Sequence, residues 1–253
     1  MFFAALPLKT QLSIALTARE IMTTEHQKNL ESFYAEKASD LLGKSWKVRP
    51  SPDEVGWPDL LVTTEKGEFG LEVREIYLDE TQRGSIKKAT ENNNLKIIQK
   101  LANAYYKSNL HPIKVSLLGD ITNHDQILCT ITNEVSQISE LGQKKIEPYS
   151  GCIIYIRRIP DHLGEFKGWD YLSDRVGWVC NVNKEVINRA IALKAKKLSK
   201  YTKKISDVRL LLVSDRKLNS GKARMADDIT FDKHGFAIVY YLSYPESVRE
   251  LSS

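Results

Sequence analysis

Apolar residues recur along the chain with the periods of helices and strands. The first helical stretch covers residues 26–42, and Gly43 follows it at a position where glycine commonly ends a helix. The same period predicts further helices over residues 84–108, 124–142 and 184–201. Short apolar runs predict strands over residues 46–48, 59–64, 69–77, 112–119, 151–159, 207–215 and 235–243. Helices therefore alternate with strands after an opening hairpin, which indicates an α/β (or α+β) fold with a mixed central sheet flanked by helices.

Two of these strands are predicted to form a hairpin around the turn Glu-Lys-Gly-Glu at residues 65–68. The second strand alternates, so its apolar side chains lie on one face while Glu72 and Arg74 share the other. Glu75 points to the face opposite to Glu72. Asp59 begins the first strand, and in a hairpin the start of one strand lies beside the end of the other. Asp59 is therefore expected within reach of Glu72.

The composition is that of an ordinary globular protein. Among 253 residues, 42% are hydrophobic and 27% are charged, which excludes a disordered chain. No run approaches the roughly 18 consecutive apolar residues of a membrane span, so no membrane partner is expected. The net charge of +5 permits a nucleic-acid partner without requiring one.

The cysteines and histidines give no sign of a structural metal or disulfide framework. Cys129, Cys152 and Cys180 are widely spaced and contain no C-x-x-C pair. The five histidines are scattered without the spacing of a zinc site. This use of cysteine indicates a reducing, cytoplasmic location.

Residues 1–25 are predicted to be a leading segment that is loosely attached and poorly ordered, with Met22 as an alternative start. No Pro- or Ser-rich linker interrupts the rest of the chain. Residues 26–253 are therefore interpreted as a single domain, with residues 84–180 as an insertion or elaboration within it.

The hairpin carries the chemistry that the sequence indicates most clearly. It brings the carboxylates of Asp59 and Glu72 and the cation of Arg74 to one polar patch of an otherwise apolar sheet. Carboxylate oxygens are the ligands that Mg²⁺ prefers, and Mg²⁺ is usually held by one or two carboxylates together with substrate phosphates. Such an ion polarises the phosphate and lowers the pKa of a bound water, and a nearby cation stabilises the developing charge.

This pattern resembles the PD-(D/E)xK nuclease superfamily. The restriction-endonuclease-like fold of that superfamily places Pro-Asp on one strand and acid-x-lysine on the next, and Pro58-Asp59 and Glu72 match at the expected spacing. Family members also carry a glutamate on the preceding helix, for which Glu31 is the best match and Glu36 the reserve. The resemblance implies hydrolysis of phosphodiester bonds in nucleic acid, with Mg²⁺ or Mn²⁺ held by Asp59 and Glu72. It favours DNA over RNA as the substrate. It also implies that a homodimer is one candidate assembly.

The third position of the motif departs from the family, because Arg74 replaces the lysine. Arginine does not readily give up its proton, so a general-base role is lost while charge stabilisation survives. The family tolerates migration of its lysine to a neighbouring helix. Lys194 lies in the apolar stripe of the helix over 184–201 and is the candidate for the migrated cation, facing the scissile phosphate with Arg74.

Simpler interpretations remain open for each of these residues. Asp59 could cap a strand while Glu72 and Arg74 form a surface ion pair. Glu31 could lie on a solvated helix face, and Lys194 could extend its amine past an apolar seam into water. Loss of the motif lysine also favours a second reading, in which the protein keeps the nuclease fold but acts only in nucleic-acid binding or assembly.

Two basic clusters could track a phosphate backbone, although a solvated helix face is the commoner meaning of such clusters. One cluster lies on or after the helix 184–201 and the other on the helix 84–108. Their members are Lys194, Lys196, Lys197, Lys200, Lys203 and Lys204 in the first, and Lys87, Lys88, Lys96 and Lys100 in the second. Aromatic residues near predicted loops could stack on bases, but packing in a core is the preferred interpretation: Trp57, Trp169, Tyr171 and Trp178.

Overall fold

The structure is a computed structural model of the full chain. It describes residues 25, 27–52, 54–81, 84–108, 111–172, 179–225 and 231–252. The predicted leading segment, residues 1–25, lies outside the described residues apart from Glu25, and so does Trp178.

The chain divides into two compact units. The first unit comprises Met1–Ile76, Cys180–Lys217 and Ala223–Ser253, and the second unit comprises Tyr77–Val179 and Leu218–Lys222. Both units combine helices with a β-sheet, and the sheet of the first unit is mixed and flanked by helices. The predicted α/β class with a mixed sheet is therefore confirmed.

A six-stranded sheet organises the first unit, in the order β1-β2-β3-β9-β11-β12. Its strands are β1 Lys47–Pro50, β2 Leu60–Thr64, β3 Gly67–Glu75, β9 Val208–Asp215, β11 Val239–Tyr244 and β12 Ser247–Glu250. Strands β1, β2 and β3 form an antiparallel meander, and β9 then adds parallel to β3. Strand β11 continues parallel to β9, and β12 closes the edge antiparallel to β11. A short parallel pair, β8 Cys180–Asn181 with β10 Ala223–Arg224, also belongs to this unit.

Helices cover both faces of this sheet. Helix α1, over residues 27–41, packs Tyr34 and Ala38 into a core that includes Leu71 and Val73 of β3. Helix α4 (Lys184–Ala195) and the single turn α5 (Leu198–Tyr201) lie on the side to which Glu72 points, because Lys194 of α4 and Tyr201 of α5 both contact the Glu72 side chain. Alternation along β3 thus sends apolar side chains towards α1 and Glu72 towards α4 and α5.

The second unit has its own sheet and its own core. Its sheet runs in the order β5-β6-β4-β7 and packs with two helices around buried residues such as Ile127, Ile154 and Trp169. Its elements are α2 Ile86–Tyr106, β4 Ile113–Gly119, α3 His124–Val135, β5 Gln143–Tyr149, β6 Cys152–Arg158 and β7 Asp170–Leu172. Trp169 is buried in this core, as the preferred interpretation held, and Tyr171 packs partly against it.

Several predicted boundaries need correction. The helix predicted over 124–142 ends at Val135, and Ser136, the residue after it, donates its hydroxyl to Asn133 O, a local hydrogen bond that competes with continuation of the helix. Residues 184–201 form α4 and α5 with a break at Lys196 and Lys197. No helix or strand is predicted over residues 160–181 and 216–234, but they contain the short strands β7, β8 and β10. Among the described residues, no helix combines the length and apolar character needed to cross a membrane.

Candidate functional site

Hairpin register places Asp59 opposite Glu72. Leu60 of β2 pairs with Leu71 of β3, so Asp59, which directly precedes β2, lies across from the next residue of β3. Asp59 N donates to Glu72 Oε2 at 3.2 Å. In return, Val73 N donates to Asp59 Oδ2 at 2.8 Å. The backbone of the hairpin thus holds the two carboxylates together, and Asp59 lies within reach of Glu72 as predicted.

Pro58 fixes the chain just before Asp59. A Cβ atom added to Gly70 would lie 2.5 Å from Pro58 Cγ, so the buried proline ring sits directly on the Cα of that glycine. The added Cβ would also lie 3.1 Å from Ile205 Cγ2. Only glycine allows this close approach, and the packing sets where Asp59 leaves the loop and enters the sheet.

Lys194 supplies the cation at the carboxylate pair. It occupies the last turn of α4, and its Nζ lies 2.7 Å from Glu72 Oε1 and 3.5 Å from Asp59 Oδ2. The Glu72 side chain is fully buried, and the Lys194 side chain is 16% exposed. A lysine in an apolar helix stripe therefore reaches a buried carboxylate rather than water.

Tyr201 is a further residue of the site, and its sequence position marks it only as the end of the apolar stripe of the helix predicted over 184–201. Its hydroxyl donates to Glu72 Oε1 at 3.0 Å. Tyr201 follows Lys194 by seven residues, a spacing that places both side chains on one face of the unbroken helix predicted over 184–201. That spacing was the available signal, but it does not by itself distinguish a hydrogen-bonding tyrosine from a packing one.

Burial and charge shift several pKa values at the site. Burial, and then the charge of Asp59, raise the pKa of Glu72. The charge of Lys194 acts in the opposite direction but does not cancel this rise. Burial also acts to lower the pKa of Lys194, but the charges of Asp59 and Glu72 outweigh it and raise that pKa above its ordinary value. Burial and Glu72 raise the pKa of Tyr201. The Tyr201 hydroxyl therefore keeps its proton more firmly than an ordinary tyrosine and donates it to Glu72.

Glu31 joins the site from helix α1. Burial, followed by the charge of Asp59, raises the pKa of Glu31 to about 7, and Gln27 Nε2 donates to Glu31 Oε1 at 2.8 Å. Glu31 and Asp59 line the same cavity, of about 340 Å³, together with the loop residues Ser51, Pro52, Glu54, Val55 and Pro58. Glu31 is thus the acid of α1 that faces Asp59, whereas Glu36 is exposed.

Arg74 and Glu75 lie further along β3. Arg74 is half-buried, and the cation bonded to both Asp59 and Glu72 is Lys194. Glu75 lies on the α1 side of the sheet, where Tyr34 Oη is 3.5 Å from its Oε1. Glu75 therefore points away from Glu72, as the alternation along the strand predicts.

The donor chemistry of the site suits a hard divalent cation. Asp59 Oδ1 and Glu31 Oε2 accept no hydrogen bond from the described residues, and both side chains line the cavity. Within the part of the chain that the structure describes, no three His, Cys, Asp or Glu side chains are grouped closely enough to hold an ion alone. Mg²⁺ usually keeps several waters and takes only one or two carboxylates besides substrate phosphates, so the residues present fit it.

The chain has no significant match among protein-family models, curated proteins or solved structures. Its function is therefore inferred from the geometry of the site.

Proposed function

We propose that the protein is a metal-dependent phosphodiesterase that cleaves nucleic acid, with DNA as the first substrate to test, on a restriction-endonuclease-like fold. The observation that carries this proposal is the approach of Lys194 Nζ to both Glu72 and Asp59, at 2.7 and 3.5 Å. A Pro-Asp, an acidic residue on the next strand and a lysine together form the side-chain set of a PD-(D/E)xK site. Here a helix supplies the lysine.

Asp59 and Glu72 would hold Mg²⁺ or Mn²⁺, and Glu31 would assist from α1. The bound ion would supply a polarised phosphate and a water of lowered pKa. Lys194 carries its charge in a partly buried site, where it stabilises negative charge that develops on the phosphate oxygens. Without a metal ion the pKa of Glu31 is about 7, and a divalent cation beside Asp59 would lower it, so Glu31 would be ionised and able to accept a proton from water at neutral pH.

The exposed lysines beyond Lys194 support a polyanionic substrate. Lys196 and Lys197 follow α4, Lys200 lies on α5, and Lys203 and Lys204 follow it, and all five are exposed. Lys204 also lies 3.5 Å from Glu54 and 5.8 Å from the centre of the Trp57 ring. A run of exposed cations beside the carboxylate cavity would attract a phosphate backbone.

The test is cleavage of labelled single-stranded and duplex DNA with Mg²⁺ or Mn²⁺ present. We expect Asp59→Asn, Glu72→Gln and Lys194→Met each to lower the rate by a factor of about 100 or more. Glu36→Gln and Lys184→Met change exposed residues on α1 and α4 outside the basic run and should retain the wild-type rate. Activity that survives in both Asp59→Asn and Glu72→Gln would refute the assignment.

A second candidate is a non-catalytic nucleic-acid-binding or assembly protein on the same fold. The observation that favours it is that Lys194 and Tyr201 already satisfy Glu72 Oε1, while Asp59 N satisfies Oε2. Titration of Mn²⁺ followed by calorimetry, with and without DNA, separates the two candidates. Binding that disappears in Asp59→Ala supports the phosphodiesterase, whereas salt-sensitive DNA binding without any metal binding supports the second candidate.

A further inference from the structure

We propose that one face of the sheet in the second unit binds single-stranded nucleic acid. The surface is formed by Lys114, Ser116, Lys145, Tyr155 and Arg157, and is called the sheet platform here. It goes beyond the proposed catalytic function, because it needs neither a metal nor any residue of the Asp59 site.

Strand alternation separates the platform from the core. Along β6, Ile154 and Ile156 are buried in the core of the second unit, whereas Tyr155 and Arg157 between and beyond them are exposed. Strand β4 behaves in the same way, with Val115 buried and Lys114 exposed. Further along the same face, Leu118 and Ile153 are buried, so the open surface is the end of the sheet that carries the cations.

Strand register places like charges side by side. Lys114 of β4 pairs directly with Arg157 of β6, and in the next row Ser116 and Lys145 flank Tyr155 from its two sides. Like charges that face each other across neighbouring strands destabilise a sheet. A row of this kind is stabilised when an anion lies over it, which indicates a polyanionic ligand.

Few protein groups neutralise the platform. Among the described residues, none forms an ion pair or side-chain hydrogen bond with Lys145, Arg157 or the Tyr155 hydroxyl. Lys114 lies 3.4 Å from Asp170 of β7, but both side chains are about half exposed, at 47% and 50%. Such an exposed ion pair is weak and exchanges readily with a phosphate.

An aromatic ring stands among these cations. Tyr155 is 39% exposed, and the surrounding concavity measures about 390 Å³, within the range of pockets that hold small organic groups. Flat rings stack on unpaired bases, whereas the bases of a duplex are already stacked on each other. The platform offers cations to the phosphate backbone and an aromatic ring to an unpaired base. It therefore favours a single strand over a duplex.

The experiment is fluorescence polarisation of labelled 20-nucleotide single strands, DNA and RNA, with the full chain in EDTA. We expect Tyr155→Ala to weaken binding about 5- to 100-fold. Tyr155→Phe keeps the ring and should bind like the wild type. Lys145→Gln with Arg157→Gln should weaken binding and flatten its dependence on salt.

The matched control is Lys96→Gln with Lys100→Gln, which removes two exposed cations from α2 of the same unit. We expect it to bind more tightly than the Lys145→Gln, Arg157→Gln variant. Equal losses in the two double variants, an unchanged Tyr155→Ala, or tighter binding of duplex than of single strands would overturn the proposal. Binding is measured in EDTA and compared between variants of the platform and of α2 in the second unit, so failure of the catalytic proposal leaves this one intact.

Discussion

Lys194 Nζ and Glu72 Oε1 lie 2.7 Å apart across a separation of 122 residues, and they form a charge pair whose acidic member is fully buried. Removing one member of such a pair leaves the other uncompensated in a low-dielectric environment. We expect Lys194→Met to lower the free energy of unfolding by about 3–5 kcal/mol, measured by urea denaturation. The loss should be smaller at pH 5 than at pH 8, because a proton can then neutralise Glu72.

The double variant Glu72→Gln, Lys194→Met provides the control for this pair. Glutamine is uncharged, so no buried charge is left alone, and its one amide oxygen can still accept a hydrogen bond from either Asp59 N or Tyr201 Oη. The double variant should therefore be more stable than Lys194→Met. Lys196→Met, at an exposed position two residues away, should change stability by no more than about 0.5 kcal/mol. A double variant less stable than Lys194→Met would show that the pair is not coupled in this way.

Gly70 offers a test of how the hairpin positions Asp59. An added Cβ at 2.5 Å from Pro58 Cγ must displace the proline ring, so Gly70→Ala should cost about 1–3 kcal/mol of stability. Because the displaced ring precedes Asp59, the same variant should weaken Mn²⁺ binding in calorimetry. Adding Pro58→Ala removes the atom that clashes and should recover part of the lost stability. If Gly70→Ala is as stable as the wild type, the packing argument is wrong.

Glu31 predicts a dependence of stability on pH. Its pKa rises from an ordinary 4.5 to about 7 on folding, through burial and the charge of Asp59. The folded protein therefore binds more protons than the unfolded chain in this window, and the contribution of Glu31 to stability falls as pH rises from about 4.5 to 7. Glu31→Gln removes this contribution. In EDTA, the variant should gain stability relative to wild type between pH 5 and pH 8.

Glu36→Gln is the matched control on the same helix, because Glu36 is exposed. Its difference in urea midpoint from the wild type should be flat over the same pH range. A flat difference for Glu31→Gln as well would mean that Glu31 titrates as an ordinary surface glutamate. That result would remove it as a proton acceptor at neutral pH.

The sequence could predict the Asp59–Glu72 contact because the contact is local. Alternation along β3 and a short turn fix both the face and the register of the hairpin, so the opposing residue follows by counting. Periodicity could place Lys194 only in a helix stripe, and its selection as the site cation came from the resemblance to the nuclease superfamily. Periodicity says which residues share a face, but the strand that this face covers depends on contacts between residues far apart in sequence.

Other elements were missed because they carry no apolar signal. Strand β5, Gln-Lys-Lys-Ile-Glu-Pro-Tyr, and the four-residue β12 lie at sheet edges. Edge strands are often short, charged or interrupted by proline, since such residues discourage pairing with other chains. Their composition therefore resembles that of a loop. The sheet platform was missed for the same reason, because Lys145 belongs to β5.

The hydrogen bond from Tyr201 of α5 to Glu72 allows a final prediction about stability. Its buried hydroxyl donates to Glu72 Oε1 at 3.0 Å, and hydrogen bonds to charged groups contribute about 1.5–3 kcal/mol. Tyr201→Phe should lower the free energy of unfolding by that amount, whereas Tyr155→Phe should leave it unchanged, since its hydroxyl is exposed. Because Lys194 stays on the carboxylate, Mn²⁺ binding should shift less in Tyr201→Phe than in Asp59→Ala. Unchanged stability in Tyr201→Phe would place the tyrosine in the apolar stripe alone.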